Sequence, residues 1–424
     1  MTGGNVIAAL KNRNLQLYFG GQVISQVGTW MQQMALSWLI YRLTGSTVML
    51  GVIGFTSQAP SLFLSPFAGI VADRVNRHRL YMITQTLCMV QAAMLTLTVW
   101  FQHAQVWQLV ALSAVLGVIS AFDIPTRQAF LPDMLNDKEE LTSAVGLNSS
   151  ITTLTRLIGP FVAGIAVSAI GEKSCFLANA LSYLAVIITM LFVHSKQKPA
   201  RAVKQSAWVQ LKEGYNYTIG FAQVRDLILL LAVVGFVVMP ITVLMPAFAR
   251  DVFHGDAMTL GYLTASSAIG STISALFLAS RRGTQQLSRW IMFGCGVAGM
   301  ALMVLGLSHS LYLSLLASTI VGLGTMMVMA GSMTVIQTIV DESKRGRVMS
   351  FVVMAFLGLS PFGCIGAGAL ANKIGAGATT VLTGFLTLLT ASIFAKRILK
   401  LHQKATPMQV QEAVAETQEE LAAA

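Results

Sequence analysis

Gly69-Ile70-Val71-Ala72-Asp73-Arg74-Val75-Asn76-Arg77-His78-Arg79 is a short charged connector between two long apolar runs. Charge is scarce elsewhere. Asp, Glu, Lys and Arg make up 11% of the 424 residues, 55% are hydrophobic, and the mean hydropathy is +0.69. A soluble protein of this length carries roughly a quarter charged residues, so most of this chain must be solvated by lipid. Basic residues in a short loop mark which side of a membrane the loop occupies, whereas an acid contributes little to orientation. Asp73 therefore gives the connector a mechanical meaning that its arginines alone would not.

Working outward from the connector, a hydrocarbon core of about 30 Å needs roughly 20 apolar helical residues. That ruler predicts twelve spans: 15–41, 48–71, 80–101, 107–124, 145–169, 174–193, 227–249, 258–280, 290–307, 311–333, 348–370 and 377–395. Helix is the spanning element, because period-two alternation is absent and lipid offers no partner to an open backbone. Residues 1–14 are polar and basic, and the next apolar run is too long for a signal-peptide core. Cys88, Cys175, Cys295 and Cys364 lie in or beside apolar runs without paired spacing, which argues against disulfides and metal sites. The fold class expected is all-α integral membrane, with twelve transmembrane helices in two six-helix halves.

The net charge of +11 (28 Lys and Arg against 17 Asp and Glu) does not indicate nucleic acid, because the basic residues occupy short loops. With both termini cytoplasmic, only Arg42, Lys173, Arg250 and Lys373 lie outside, and Arg156 lies within a helix. The positive-inside bias thus sets the orientation. The domain reading is a cytoplasmic N-terminus (1–14), a first half (15–193), a basic cytoplasmic linker (194–226), a second half (227–395) and a disordered tail (396–424). Within the linker, Trp208–Tyr217 suits either an amphipathic helix on the anionic leaflet or a solvated connection.

Displacing the sequence by 204 residues places Gly159, Gly164 and Gly171 on Gly363, Gly368 and Gly375, and Asp137 on Asp341. Helix starts agree as well, Trp107 falling on Leu311. Duplicated halves of this kind imply a cavity between them near the bilayer midplane.

Twelve helices in two halves, with Gly69-xxx-Asp73-Arg74-xx-Arg77-x-Arg79 between the second and third, resemble the major facilitator superfamily. That loop usually has Gly where this chain has Asn76; Asn also visits the left-handed region, so the expected turn is preserved. Ala121-Phe-Asp123-Ile-Pro125-Thr-Arg127 through Arg156-Leu-Ile-Gly159-Pro160-Phe-Val-Ala-Gly164 resembles the exporter branch with enterobactin-exporter-like and macrolide-efflux-like permeases. The resemblance covers residues 12 to 397. It implies that the connector latches the halves on the cytoplasmic side, with the helix starting near Arg347 as partner. It also implies coupling to protons.

Several residues then stand out. In the connector, Asp73 and Arg74 are the latch residues, while Gly69, Arg77 and Arg79 complete the motif, the last two mainly as topology signals. Arg156 falls near the middle of the fifth helix, where an unpaired guanidinium costs at least about 2.5–3.5 kcal/mol. No Asp or Glu lies deep in any predicted span to pair with it. It is read as a substrate or gating residue ahead of a structural one bonded to carbonyls near the bend. Gln22, Gln26, Thr29 and Gln33, at steps of four, three and four, share one face of the first helix. Cavity lining and interhelical hydrogen bonding fit that stripe equally. Gly159, Pro160 and Gly164 mark a bend or a close packing site in the fifth helix. Asp123 and Arg127 close the fourth helix at the cytoplasmic face, as gate residues or as a surface pair. Met326, Met327, Met329, Met333, Met239 and Met245 suit an apolar cavity or an ordinary core.

There is no GxxxxGK[ST] loop, so no ATP chemistry is expected, and the six His are too scattered for a catalytic cluster. The chain reads as a transporter and not an enzyme, with no cofactor and no metal. Its partners are membrane lipid, a small-molecule substrate and protons as coupling ion, with no nucleic acid, and it acts as a monomer in the cell inner membrane. The function expected is alternating-access export of an amphipathic drug-like or siderophore-like compound. An uptake permease of the same fold is the alternative; a receptor or channel is a distant one.

Overall fold

The computed structural model describes residues 12–101, 104–135, 138–193, 218, 220–281 and 286–398. The linker helix over Trp208–Tyr217, the N-terminus before Asn12 and the tail beyond Ile398 lie outside the described residues. Among those described there is no strand. The helices are α1 (Arg13–Thr44), α2 (Thr47–Arg74), α3 (Arg77–Trp100), α4 (Val106–Phe130), α5 (Lys138–Ile170) and α6 (Glu172–Leu191). They continue as α7, built from Ala222–Val237, Ile241–Ala247 and the π-helical turn Phe248–Val252, then α8 (Ala257–Ser280), α9 (Leu287–Leu307) and α10 (Leu311–Ile339). The last two are α11, built from Glu342–Gly358 and Ser360–Ile374, and α12 (Ala376–Ile398).

Eleven of these helices are long and apolar enough to cross a membrane. α1 falls short because its glutamines lower the hydropathy of a 32-residue helix. It nevertheless packs inside the first half against α5 and α6, with Gln22, Gln26 and Gln32 buried. Polar residues that find partners within a bundle do not exclude a helix from lipid.

Local chemistry sets the turns. Gly45 closes α1 in the left-handed region (φ 61°), and the Ser46 hydroxyl caps α2 by accepting from the Met49 N–H. Gly171 and Gly375, aligned by the 204-residue displacement, adopt φ 95° and 86° in the one-residue turns α5–α6 and α11–α12. Only glycine takes that conformation without strain.

Two boundaries are corrected. α7 begins at Ala222, so Arg225 and Asp226 belong to it and not to the linker. α4 continues through Asp123, Pro125 and Arg127 to Phe130, where the sequence ruler stopped at 124. The ruler assumes that charge meets water or headgroups, but here the charge is buried against α1 and α3.

The chain runs up and down, so α2, α5, α8 and α11 meet along one seam between the halves. α2 packs on α11 and α5 on α8. We call the end carrying Thr44 and Ile374 the far end, and the end carrying Asn12 and Ile398 the near end.

Candidate functional site

Arg156 projects from the middle of α5 into the space between the halves. It lines a small cavity of about 30 Å³ together with Val238, Met239, Ile241 and Thr242 of α7, Ser267 and Ser271 of α8, and Val321, Gly322, Thr325, Met326 and Met329 of α10. Its guanidinium carbon lies 5.8 Å from the centroid of the Trp30 ring in α1. Among the described residues no hydrogen bond or ion pair to Arg156 is present. Of this wall, Met239, Met326 and Met329 were singled out from sequence, whereas Thr242, Thr325 and the α8 serines were not. The available signal was Ser267 and Ser271 at a spacing of four, on one face of α8.

Gly159 and Gly164 explain how α5 reaches this position. A Cβ on Gly159 would collide with the Cβ of Trp30, so glycine lets α1 lie close and seats the indole beside Arg156. A Cβ on Gly164 would meet the Ala257 carbonyl at 3.1 Å and Gly261 Cα at 3.3 Å, so it sets the approach of α8. Pro160 is buried inside a continuous α5, its carbonyl facing Gly261.

The polar stripe of α1 points largely into the first half. Gln22 donates to the Tyr81 hydroxyl and accepts from Gln26 at 3.3 Å and from Arg127 at 3.1 Å. Gln26 accepts from Thr155 at 3.1 Å. Thr29 lies 3.1 Å from the Tyr183 hydroxyl, and Gln32 bridges Gln91 and Asn179 at 3.1 and 2.8 Å. Gln33, by contrast, is exposed. Thus Gln22 and Gln26 join helices of one half, while Arg156 faces the other half.

Asp123 is 9% exposed and accepts from Thr84 at 2.8 Å and Gln85 at 2.7 Å, with Arg127 in electrostatic reach. The expectation that no acid lies deep in a span is overturned. Asp123 sits inside a span covering Val106–Met134, because α3 supplies its donors and α4 extends beyond it. Asp123 and Arg127 do not form a surface pair.

In the connector, Arg77 carries tertiary contacts. It donates to the Ala72 carbonyl at 3.3 Å, the Ala129 carbonyl at 3.2 Å and the Asp133 carboxylate at 3.1 Å. It therefore ties the ends of α2 and α4 together and is more than a topology signal. Arg74 and Arg79 are exposed, the Gly69 position is open, and the Asp73 side chain lies outside the described atoms. Asn76 is not left-handed. At φ −62° and ψ 110° it caps α3, its side chain accepting from the Arg79 N–H at 3.1 Å, a role that Asn fills well.

At the far end the halves are stitched. Thr47 donates to the Gly368 carbonyl at 2.9 Å, and Ser168 donates to Asp256 at 3.0 Å. The Tyr41 hydroxyl donates to Asp251, and Arg250 donates to the Tyr41 carbonyl at 3.1 Å. Asp256 also caps α8 through the Met258 and Thr259 N–H groups. Burial raises its pKa, but the hydrogen bonds from Thr259, Ser168 and Met258 win and hold it below the ordinary carboxylate value.

Two helical halves with a charged cavity at their seam have the architecture of a membrane transporter. Comparison agrees over nearly the whole chain. Residues 5–422 match the family described as transmembrane secretion effector, and the chain belongs to that family of major facilitator transporters. It is 27% identical over 380 residues to the staphyloferrin A transporter of Staphylococcus aureus, covering 89% of this chain and 94% of that protein. It is 22% identical over 388 residues to macrolide efflux protein A of Streptococcus pyogenes, covering 90% and 96%. Its fold is similar to that of a bacterial homolog of the human lysosomal transporter Spinster, with a TM-score of 0.71 at 15% identity over 95% and 99% of the two chains.

Proposed function

We propose that this protein is a monomeric secondary active exporter of an amphipathic small molecule, drug-like or siderophore-like, in the bacterial inner membrane. Both termini are cytoplasmic in this reading, supported by the positive-inside bias of the loops. The first half, α1–α6, and the second, α7–α12, act as the two rocking halves. The stitched far end then faces outward, and the described conformation is the one closed to the outside. The observation that carries the reading is Arg156, a cation held at the seam with the opposite half forming the rest of its cavity. The relative named for macrolide efflux supports the export direction.

Protons drive the cycle. Asp123 is the best-placed carrier, a buried carboxylate beside Arg127 whose protonation would weaken the links between α4, α3 and α1. Asp73 and Arg74 serve as the cytoplasmic latch when the molecule opens outward. The test is accumulation of a toxic amphiphile by energised everted vesicles. Accumulation that collapses with the proton gradient and with Arg156→Ala supports the reading; gradient-driven depletion from the vesicles would mean uptake instead.

A further inference from the structure

Arg156 is a cation at the seam with no ion pair among the described residues. Its wall holds hydroxyls and thioethers, and among the described lining residues there is no carboxylate. Three of the four hydroxyls donate to helix carbonyls: Thr242 to Met239 at 3.0 Å, Ser271 to Ser267 at 3.0 Å, and Thr325 to Val321 at 2.8 Å. The Trp30 face offers only a weak π contact at 5.8 Å. A half-buried guanidinium left without an ion pair at the seam is costly, and a ligand that neutralises it recovers part of that cost.

Three constraints define that ligand. The wall has one positive charge and no negative one, so amines are repelled and neutral groups leave the cost in place. A dianion would leave an unmatched negative charge, since Arg156 is the single cation among the lining residues. The partly open space of about 30 Å³ suits a head group and not a whole drug-sized molecule, which needs roughly 300 Å³ or more. Met239, Met326 and Met329 line the remainder, and thioether side chains repack around apolar bodies of varied shape.

We propose that the cargo carries a single carboxylate that pairs with Arg156, with an apolar body resting on the methionines of α7 and α10. This rests on the reading above that the Arg156 cavity is the transport site. Planar carboxylate and planar guanidinium form two parallel hydrogen bonds, which explains an Arg here in place of a Lys.

The test is thermal unfolding of the purified full chain in mild detergent with octanoate, methyl octanoate, octylamine or octyl phosphate. Wild type is compared with Arg156→Ala and Arg156→Lys, and apparent binding constants are taken from the shifts. Octanoate is expected to raise the unfolding temperature of wild type saturably. It should bind Arg156→Ala roughly tenfold to a hundredfold more weakly and Arg156→Lys at an intermediate level. Equal stabilisation by octylamine or the methyl ester, or undiminished octanoate binding to both variants, overturns the carboxylate assignment. Octyl phosphate acting as well as octanoate overturns it in favour of a phosphate head. Everted-vesicle transport by the same variants separates the two levels. Transport indifferent to Arg156 sinks the site itself, whereas Arg156-dependent transport without anion preference sinks only the head group.

Discussion

Thr47 of α2 donates its hydroxyl to the carbonyl of Gly368 in α11 at 2.9 Å, joining the two halves at the far end. Beside this bond a Cβ on Gly51 would meet the Cys364 carbonyl at 2.5 Å, and one on Gly368 would meet the Thr47 carbonyl at 2.5 Å. The seam closes because both helices present glycine there.

Gly51→Val should wedge this joint. Both obstructing atoms belong to backbone, so the helices must part, at a cost of about 1–3 kcal/mol typical of overpacking. The wedged protein should fold but lose most of its transport. Everted-vesicle assays with expression matched by blotting measure this, and full activity in Gly51→Val would count against a seam that closes in every cycle.

Arg77→Ala removes a clamp between α2, α3 and α4. Hydrogen bonds from a charged donor contribute about 1.5–3 kcal/mol each at best, and the pair with Asp133 is partly exposed, which lowers its share. A loss of about 1–3 kcal/mol is expected, read as a lower unfolding temperature. Arg77→Lys should recover only part, because Lys cannot reach the Ala72 and Ala129 carbonyls and Asp133 together.

Asp123→Asn keeps the shape of the acceptor for Thr84 and Gln85 but cannot exchange a proton. If Asp123 carries the coupling proton, export against a gradient should fall by at least about tenfold, about 1.4 kcal/mol, while the unfolding temperature stays near wild type. Unchanged dependence on external pH in the variant would remove Asp123 from the coupling step.

Asp256 makes a contrasting pH prediction. Its folded pKa lies below the ordinary 3.8, so the hydrogen bonds it accepts are fully in place above that value and lost as pH falls through the depressed one. Far-end closure should therefore not change through Asp256 between about pH 5 and 8. Asp256→Ala should loosen the end equally across that range. Loosening of the wild type that tracks pH within it, and disappears in Asp256→Ala, would contradict this.

The helical plan was legible because lipid leaves the chain little choice: each span needs its run of apolar residues. Gly171 and Gly375 were legible only as glycines aligned by the repeat; the loops expected over 170–173 and 371–376 prove to be one-residue reversals, which require a residue tolerant of positive φ. Charge inside a bundle was not. Asp123 and Arg127 read as a helix end because their partners, Thr84, Gln85 and Gln22, lie on other helices. Arg77 looked like a topology signal because its acceptor Asp133 is 56 residues away. In the α1 stripe Gln22, Gln26 and Thr29 turn into the first half while Gln33 is exposed, and periodicity alone cannot say whether a face meets a neighbouring helix or the seam. Arg156 and the wall methionines Met239, Met326 and Met329 stood out from sequence, while their meeting, and the α8 serines between them, needed the halves to be assembled.

Cys364 offers the most direct measurement. It is 1% exposed, buried at the seam against Gly51, Gly54 and Gln58, whereas Cys88, Cys175 and Cys295 are buried within single halves. With those three replaced by alanine in a chain that still transports, Cys364 can be probed in intact cells with a membrane-impermeant maleimide. Alternating access predicts slow labelling at rest and labelling several-fold faster when external acid drives the cycle. A rate that is the same at rest and during verified transport would contradict it.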